Sequence, residues 1–510
     1  MICVSIGRGR HRHVIAEHKY LAEHGIRLVE LRLDYIEGPV QVARLLRERH
    51  CPIIATCRRA VDGGRWSQSE EARQLVLRTA IVEGADYIDL EDDIAQSIPR
   101  YGRTKRIISH HDFHKTPADL AAIHARLAAM DADIVKIATM ANHPTDNLRM
   151  MELVRSSRIP TVGLCMGDIG MPTRVLVGSC GAPFTFATFH EDRVLAPGQI
   201  GWRQMRDLYR YDSISTATRI YGVVADPVAH SLSPVVHNAA LEAAGIDAVY
   251  LPFRVPAEQF DEFLERAANW PLSGLSVTIP HKEAVLKHAL RQDGLVTAIG
   301  AANTLAFEPS GVAAFNTDAT AAVESLKHAL YYRDADGGGV GGVGETGEPD
   351  EGLGLKTAIV LGAGGAARAV AFGLKQQGVD VTVASRTLER AKRIATEVGC
   401  KAVEWNARYR VPHDCVVNAT PIGMHPHVDE TPYEKEHLRQ YMTVFDTVYN
   451  PENTLLVKEA RAVGCQIVTG VDMFVRQAAI QFRIWQGVDA PEQVMRDALK
   501  RATSSARSPD

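Results

Sequence analysis

Eight short runs rich in β-branched and aliphatic residues recur at even spacing between Ile2 and Phe189, each followed by a stretch with helical periodicity. They read ICVSI, RLVELRL, PIIATC, ADYIDL, RIIS, DIVKIA, PTVGLC and FTFATF. Eight consecutive strand-helix pairs predict an α/β (β/α)8 barrel, in which the strands close on themselves inside a ring of helices. The expected domain spans residues 1–213. In such a barrel the polar residues at the end of each strand face one mouth. In order these are Glu30 with Arg32, Arg58, Glu91, His110 with His111, Lys136, Met166, and the APGQ turn from Ala196 to Gln199.

The chain has 510 residues, 46% of them hydrophobic, which is too many for one core. Its formal charge of −4 and the lack of a basic block argue against nucleic-acid binding. Eight cysteines are scattered without Cys-x-x-Cys pairing, which suits reduced thiols in the cytoplasm. The opening MICVSIGRGRHRH holds too few apolar residues for a signal peptide. No run approaches membrane-spanning length, so no membrane partner is expected.

After YDSISTATR the pattern restarts at RIYGVVADP, giving a second α/β domain expected over 218–331 and completed by helices at about 472–500. The glycine-rich, acidic stretch DADGGGVGGVGETGEPDEGLG lies in an insert at 332–355 that cannot bury enough surface to order itself. Beyond it KTAIVLGAGGAARAVAFGLKQQG reads as strand, glycine turn and helix. The alternation continues through VDVTVASRT, CVVNATPIGM, TVFDTVYNP and QIVTG, predicting a doubly wound Rossmann domain over 356–471. A helix is expected from Asp472 to Trp485, and the polar ATSSARSPD tail is expected to be disordered.

Lys136 stands mid-strand between apolar residues. One reading is an exposed edge lysine; the other is an amine that attacks a substrate carbonyl to form a Schiff base. Lowering a lysine pKa from ~10.4 to ~7.5 for that purpose costs about 4 kcal/mol. Burial and the cations Arg32, Arg58 and Arg174 are expected to supply it. A Schiff base acidifies the adjacent carbon, and His111 in SHHDFHKT titrates in the range to move that proton. A metal site needs further ligands at fixed geometry, and only the diffuse His11, His13 and His18 are at hand, so no metal is expected.

The motifs ELRLD, TCR with the following DGG, SHHDFHKTP, VKIATM and APGQ together resemble type I 3-dehydroquinate dehydratase across residues 1–212. That resemblance implies an imine at Lys136 and proton transfer by His111, which Asp62 orients. It also implies that Ser5, Glu30, Arg32, Arg58, Arg174 and Gln199 hold substrate hydroxyls and carboxylate. Two positions depart from the pattern: Asp62 stands where many relatives have glutamate, and Leu195 where a small hydroxylated residue often precedes the APGQ turn.

In the second half, Gly362-x-Gly364-x-x-Ala367 follows a strand and opens a helix, the context that dinucleotide binding requires. The next strand ends in Ser385, Arg386 and Thr387 without an acid. Arg386 can pair with a 2′-phosphate, which favours NADP; a plain surface charge is the other reading. Upstream, SLSP, SVTIPHKE, GAANTL and FNTDA place polar groups at loop positions, suggesting a pocket for a small hydroxylated acid with a lysine and an aspartate for proton transfer.

Residues 219 to about 500 resemble shikimate dehydrogenase through SLSP, TIPHK, NTD, GAGGAAR, SRT, NATPIGM and VDMFVRQAA. The resemblance implies a catalytic pair of Lys282 and Asp318, with Ser231, Ser233, Thr278, Asn303 and Gln477 around shikimate. NADP would be held by Gly362, Ala363, Gly364, Gly365, Ala366, Ser385, Arg386, Thr387, Thr420, Gly423, Met424 and Gly470. Together the halves imply dehydration of 3-dehydroquinate to 3-dehydroshikimate followed by its reduction to shikimate. Two alternatives stand beside this: a metabolite sensor on degenerate enzyme domains, and a quinate-oxidising enzyme using NAD. The oligomeric state is not readable.

Overall fold

The structure, a computed structural model, describes residues 1–267, 270–331 and 353–504. One compact unit comprises Met1–Ile220 with Asp226–Ala229 and Asp247–Pro271, and a second takes in the remaining described residues.

All eight expected strands of the first unit form. They are β1 (Ile2–Ile6), β2 (Leu28–Arg32), β3 (Ile53–Thr56), β4 (Tyr87–Glu91), β5 (Lys105–Asp112), β6 (Ile134–Met140), β7 (Thr161–Met166) and β8 (Thr185–Thr188). They pair in parallel in the order β7-β6-β5-β4-β3-β2-β1-β8, so the barrel is nearly closed, its seam lying between β7 and β8. The opening residues ICVSI are therefore a barrel strand, buried throughout. Lys136 lies on β6, bonded on both sides, which excludes the edge-lysine reading. Between strands the chain uses ordinary stop and start signals: Ser69 Oγ caps helix Glu70–Val82 by accepting from the Ala72 N–H, and two glutamates fill the first turn.

The next strands are β9 (Arg219–Ala225), β10 (Ala248–Arg254), β11 (Leu272–Val277), β12 (Arg291–Gln292), β13 (Thr304–Glu308) and β14 (Gly311–Phe315). Strands β9, β11, β13, β14 and β12 follow in that order in a mixed sheet, β13 running antiparallel to both neighbours. The third sheet comprises β15 (Thr357–Leu361), β16 (Asp380–Ser385), β17 (Lys401–Glu404), β18 (Cys415–Asn418), β19 (Thr443–Asp446) and β20 (Gln466–Val468). It is wholly parallel in the order β17-β16-β15-β18-β19-β20. This is the doubly wound arrangement, with its switch point where the order reverses beside β15. Val360, Val381, Val383, Val417, Phe445 and Val468 are fully buried in its core.

Three local expectations shift. Sequence reading missed β17, a short edge strand with exposed Lys401 and Glu404 at its ends, because its burial is too slight for an apolar signature. The late helix starts at Gly470, where Thr469 and Asp472 form a capping box, and runs to Gln486. Residues 332–352 of the glycine-rich insert lie outside the described residues, as does the tail from 505. Leu353, however, packs at 2% exposure into the core of the third sheet, and Thr503 closes the helix Glu492–Thr503.

Two candidate active sites

Strand alternation decides which side chains meet inside the barrel. The β5–β6 register sets Ser109 beside Lys136 and His111 beside Ala138. Residues two apart share a face of the pleat, so Lys136 and His111 both point inward. They line one cavity with Glu30, Arg32, Arg58, Asp62, Arg174, Leu195 and Gln199. His110, on the opposite face, pairs instead with Asp92 at 3.3 Å, and the His114 backbone N–H donates to Asp112 within the loop. Among the described residues no group of three His, Cys, Asp or Glu is placed to hold a metal ion.

Lys136 Nζ donates to Asp89 Oδ2 at 2.9 Å, lies 3.9 Å from Glu30 Oε1 and sits 4.2 Å from the centre of the Phe186 ring. Arg32, Arg58 and Arg174 are expected to crowd this amine, but the charged groups in reach of it are acids, turned inward by β2 and β4. Arg58 is itself engaged by Asp89 at 2.8 Å and Glu91 at 3.2 Å. Glu91 also takes Arg73, fully buried, at 2.8 Å. His111 Nδ1 lies 3.3 Å from Arg58 Nη1. Burial, with the positive charges of Arg58 and Lys136, holds its pKa well below the ordinary histidine value, so it rests neutral and ready to accept a proton.

Arg174 is a different kind of cation. It is 2% exposed, and among the described residues it has no ion pair. Its Nη2 donates to the Pro197 carbonyl at 2.9 Å, while Nε lacks any hydrogen-bond partner. Burial pulls its pKa down to about 10. A buried, unpaired guanidinium on a cavity wall is a place for an anionic ligand.

In the second unit, Lys282 Nζ donates to Asp318 Oδ2 at 2.6 Å, and Asn303 Nδ2 donates to Asp318 Oδ1 at 2.9 Å. Asn303 Oδ1 accepts from the Thr317 N–H at 2.9 Å, and its carbonyl accepts from Gln481 Nε2 at 3.1 Å. Gln481 Oε1 accepts from Ser276 Oγ at 2.8 Å. A cavity is lined by Lys282, Asp318, Asn303, Gln481 and Ser276 together with Ser231, Ser233, Thr278, Tyr449, Gly470 and Gln477. A second opening runs along the glycine turn, lined by Gly362, Ala363, Gly364, Ser385, Arg386, Thr387, Arg390, Trp405 and Thr420. Gly362 has φ +115°, and a Cβ there would lie 2.6 Å from the Ala419 carbonyl oxygen, so the turn admits only glycine. No acid stands at the end of β16 to exclude a phosphate.

Family models match both units: type I 3-dehydroquinase over residues 2–216, the shikimate dehydrogenase substrate binding domain over 223–305, shikimate/quinate 5-dehydrogenase over 349–421, and the shikimate 5′-dehydrogenase C-terminal domain over 470–500. A chloroplastic bifunctional 3-dehydroquinate dehydratase/shikimate dehydrogenase of Arabidopsis thaliana is 36% identical, aligned over 97% of this chain and 83% of its own length. The chain belongs to this bifunctional family. Its dehydrogenase half is 39% identical to the NADP(+) shikimate dehydrogenase of Methanopyrus kandleri over 56% of this chain and 97% of that one. It also matches a crystal structure of shikimate dehydrogenase in complex with NADP+ at 33% identity, with a TM-score of 0.50, over 57% of this chain and 97% of the other.

In the dehydratase half, Ser5 stands behind the cavity, its Oγ donating to Glu30 Oε2 at 2.5 Å. Arg32 is held bidentate by Asp34, the last residue of ELRLD, at 2.9 and 2.8 Å. Asp62 does not bond His111; its carboxylate accepts from Arg59 Nε at 2.6 Å. Leu195 fills the space over Gly7, where a Cβ would lie 2.8 Å from its Cδ2. Gln199 Oε1 accepts from the Leu195 and Ala196 N–H groups, fixing the turn.

In the dehydrogenase half, Gly365 and Ala366 line the opening beside Lys282, and a Cβ on Gly365 would lie 3.0 Å from Lys282 Cδ. Gly423 and Met424 lie in the turn after Thr420 and do not line the cofactor opening; Met424 is 44% exposed. Gly470 lines the cavity beside Lys282 and Asp318 rather than the opening along the glycine turn. Sequence reading missed Asp89, Ser276, Tyr449, Gln481, Arg390 and Trp405. Gln481 was detectable one helical turn after Gln477, and Tyr449 just past the carboxyl end of β19.

Proposed function

We propose a division of labour among these residues in a bifunctional shikimate-pathway enzyme that dehydrates 3-dehydroquinate and, with NADP, interconverts 3-dehydroshikimate and shikimate. Residues 1–213 are read as the dehydratase, 218–331 with 472–500 as the dehydrogenase substrate domain, and 356–471 as the NADP domain. In the barrel, Lys136 forms the imine with the ring ketone, neutral His111 removes a proton from the carbon next to it, and Arg174 takes the carboxylate. The observation that carries this reading is the shared cavity: an amine, a neutral imidazole and an unpaired buried guanidinium face the same space.

In the dehydrogenase, Lys282 and Asp318 are placed to hold and move the proton of the reacting hydroxyl or carbonyl oxygen, and Asn303 fixes the Asp318 carboxylate. The glycine turn, the N-terminus of helix Gly365–Gln376 and Arg386 suit the pyrophosphate and 2′-phosphate of NADP. When bound, the cofactor supplies or accepts the hydride. The absence of an acid after β16 supports NADP over NAD.

We place the enzyme in the cytoplasm, a reading supported by eight unpaired cysteines. Among the described residues no helix is long and apolar enough to cross a membrane. The direct test is a coupled assay: the purified chain with 3-dehydroquinate and NADPH is expected to yield shikimate with equimolar NADPH consumption. Binding of 3-dehydroquinate without turnover would favour the sensor reading instead.

A further inference from the structure

Among the described residues, Asp89 is the buried group hydrogen-bonded to the reacting nitrogen, and neither its motif nor the roles above assign it work. It lies on β4 at 1% exposure. Its Oδ1 accepts from Ser109 Oγ at 2.6 Å and pairs with Arg58 Nη2 at 2.8 Å; its Oδ2 accepts from Lys136 Nζ at 2.9 Å. One hydrogen bond and one ion pair thus hold one oxygen and leave the other aimed at the amine. Barrel interiors are normally filled by branched apolar side chains, and a carboxylate buried there brings a desolvation cost that an apolar residue avoids.

We propose that Asp89 is a catalytic counter-ion and proton relay for imine formation at Lys136. The inference rests on the reading of Lys136 as the imine-forming residue. The overall step is R–NH3+ plus O=C giving R–NH+=C plus H2O: a C–N bond replaces a C–O bond, two N–H protons leave with the oxygen, and nothing is oxidised or reduced. The nitrogen carries one positive charge before and after, so one fixed carboxylate serves both ends. In between, a proton must leave nitrogen before its lone pair can attack, then return to the oxygen that departs. Asp89 Oδ2 is the acceptor in hydrogen-bond contact. Glu30, at 3.9 Å, is farther away and already accepts from Ser5 and Thr56.

The groups facing this nitrogen are Cys3 from β1, Glu30 and Arg32 from β2, Arg58 after β3, His111 from β5 and the Phe186 ring from β8. Burial alone would raise the Asp89 pKa, but Arg58 and Lys136 outweigh it and hold the carboxylate ionised.

The test uses Asp89→Asn and Asp89→Glu in the full chain, with borohydride labelling of Lys136 by 3-dehydroquinate and the pH profile of dehydration. Asp89→Asn is expected to slow labelling and dehydration about 100-fold or more. It should also move the acid limb of the kcat/KM profile about one unit to lower pH, because an opposing charge beside the ammonium has gone. Asp89→Glu should restore the limb position and at least a tenth of the rate. An unmoved limb with a thermal melt like wild type, or a rate within threefold of wild type, overturns the proposal. If Asp89→Asn does not fold, Ser109→Ala decides: removing one donor to Oδ1 should slow labelling about fivefold, and an unchanged rate overturns the proposal. Failure to label Lys136 in the wild-type chain would instead defeat the imine reading beneath it.

Discussion

The two active sites solve similar proton-transfer problems with different materials. The barrel site is a mosaic of buried charge: Lys136, Arg58 and Arg73 alternate with Asp89, Glu30 and Glu91, and Arg174 stands apart unpaired. In the dehydrogenase pocket the described residues show the ion pair of Lys282 with Asp318, supported by the neutral amides and hydroxyls of Asn303, Thr317, Gln481 and Ser276. On the proposed roles of these residues, the difference follows the chemistry. An imine mechanism must build and keep a cation inside the protein, so counter-charges have to be built in beforehand. The dehydrogenase needs from its own residues only a proton donor and a frame, because the cofactor brings the rest. Fixed charge is therefore concentrated where charge must develop.

The sharpest way to break this comparison is Lys136→Ala. The barrel reaction should fall by about 10^4-fold or more, as for other covalent nucleophiles, while reduction of 3-dehydroshikimate in the same preparation stays at the wild-type rate. A modest loss in the first assay would mean that the amine does not react. The next effect is on stability. Arg73→Met leaves the buried Glu91 with Arg58 as its remaining cation and one carboxylate oxygen unpaired, and should cost the barrel about 3–5 kcal/mol, whereas Gln481→Leu, which leaves neutral groups unpaired, should cost about 1–3 kcal/mol. Denaturant unfolding of each variant measures both, and equal costs would erase the distinction between the two sites.

Strands, unlike sites, declare themselves by composition. All eight barrel strands and five of the six parallel strands of the third sheet were legible because each is a short apolar run bounded by turns. Lys136 and His111 were legible for a related reason: a polar residue in a buried run stands out. Asp89 was harder than Glu91 at the strand end, since YIDLE alternates as an ordinary half-exposed strand would, and only closure of the barrel puts that second face indoors. Asp62 shows the opposite failure. Its motif position suggested a partner for His111, yet its carboxylate pairs with Arg59. Which of two reachable partners a short side chain takes is set by backbone geometry, and no motif encodes that.

The two halves should agree in acid, despite their different sites. Burial drives His237 in the dehydrogenase down to about 3 and His18 in the barrel down to about 4. Each folded pKa lies below the unfolded value near 6.5, so the folded state favours neutral imidazole. The stabilising contribution is complete above pH 6.5 and is lost as pH falls toward the folded pKa. At pH 5 either group should cost about 2 kcal/mol relative to pH 8. His237→Asn and His18→Asn should each flatten that part of the stability curve by this amount; a wild-type slope in either variant would refute the assignment for that half.

The smallest effect concerns Arg386, and it tests whether the dehydrogenase uses charge even where its own chemistry does not demand it. Arg386 is exposed at the end of β16 and lines the cofactor opening with Arg390. An exposed guanidinium meeting a phosphate is screened by solvent and salt, so its contribution is far below that of the buried barrel pairs. Arg386→Ala should raise the KM for NADPH about tenfold, equivalent to about 1.4 kcal/mol, with kcat and the KM for NADH nearly unchanged. Raising the ionic strength should shrink the difference between variant and wild type. Equal effects on NADPH and NADH would mean that Arg386 supports the loop rather than reading the phosphate. The preference for NADP would then rest on Arg390, the next cation along the same helix start, and Arg390→Ala should show the discrimination in its place.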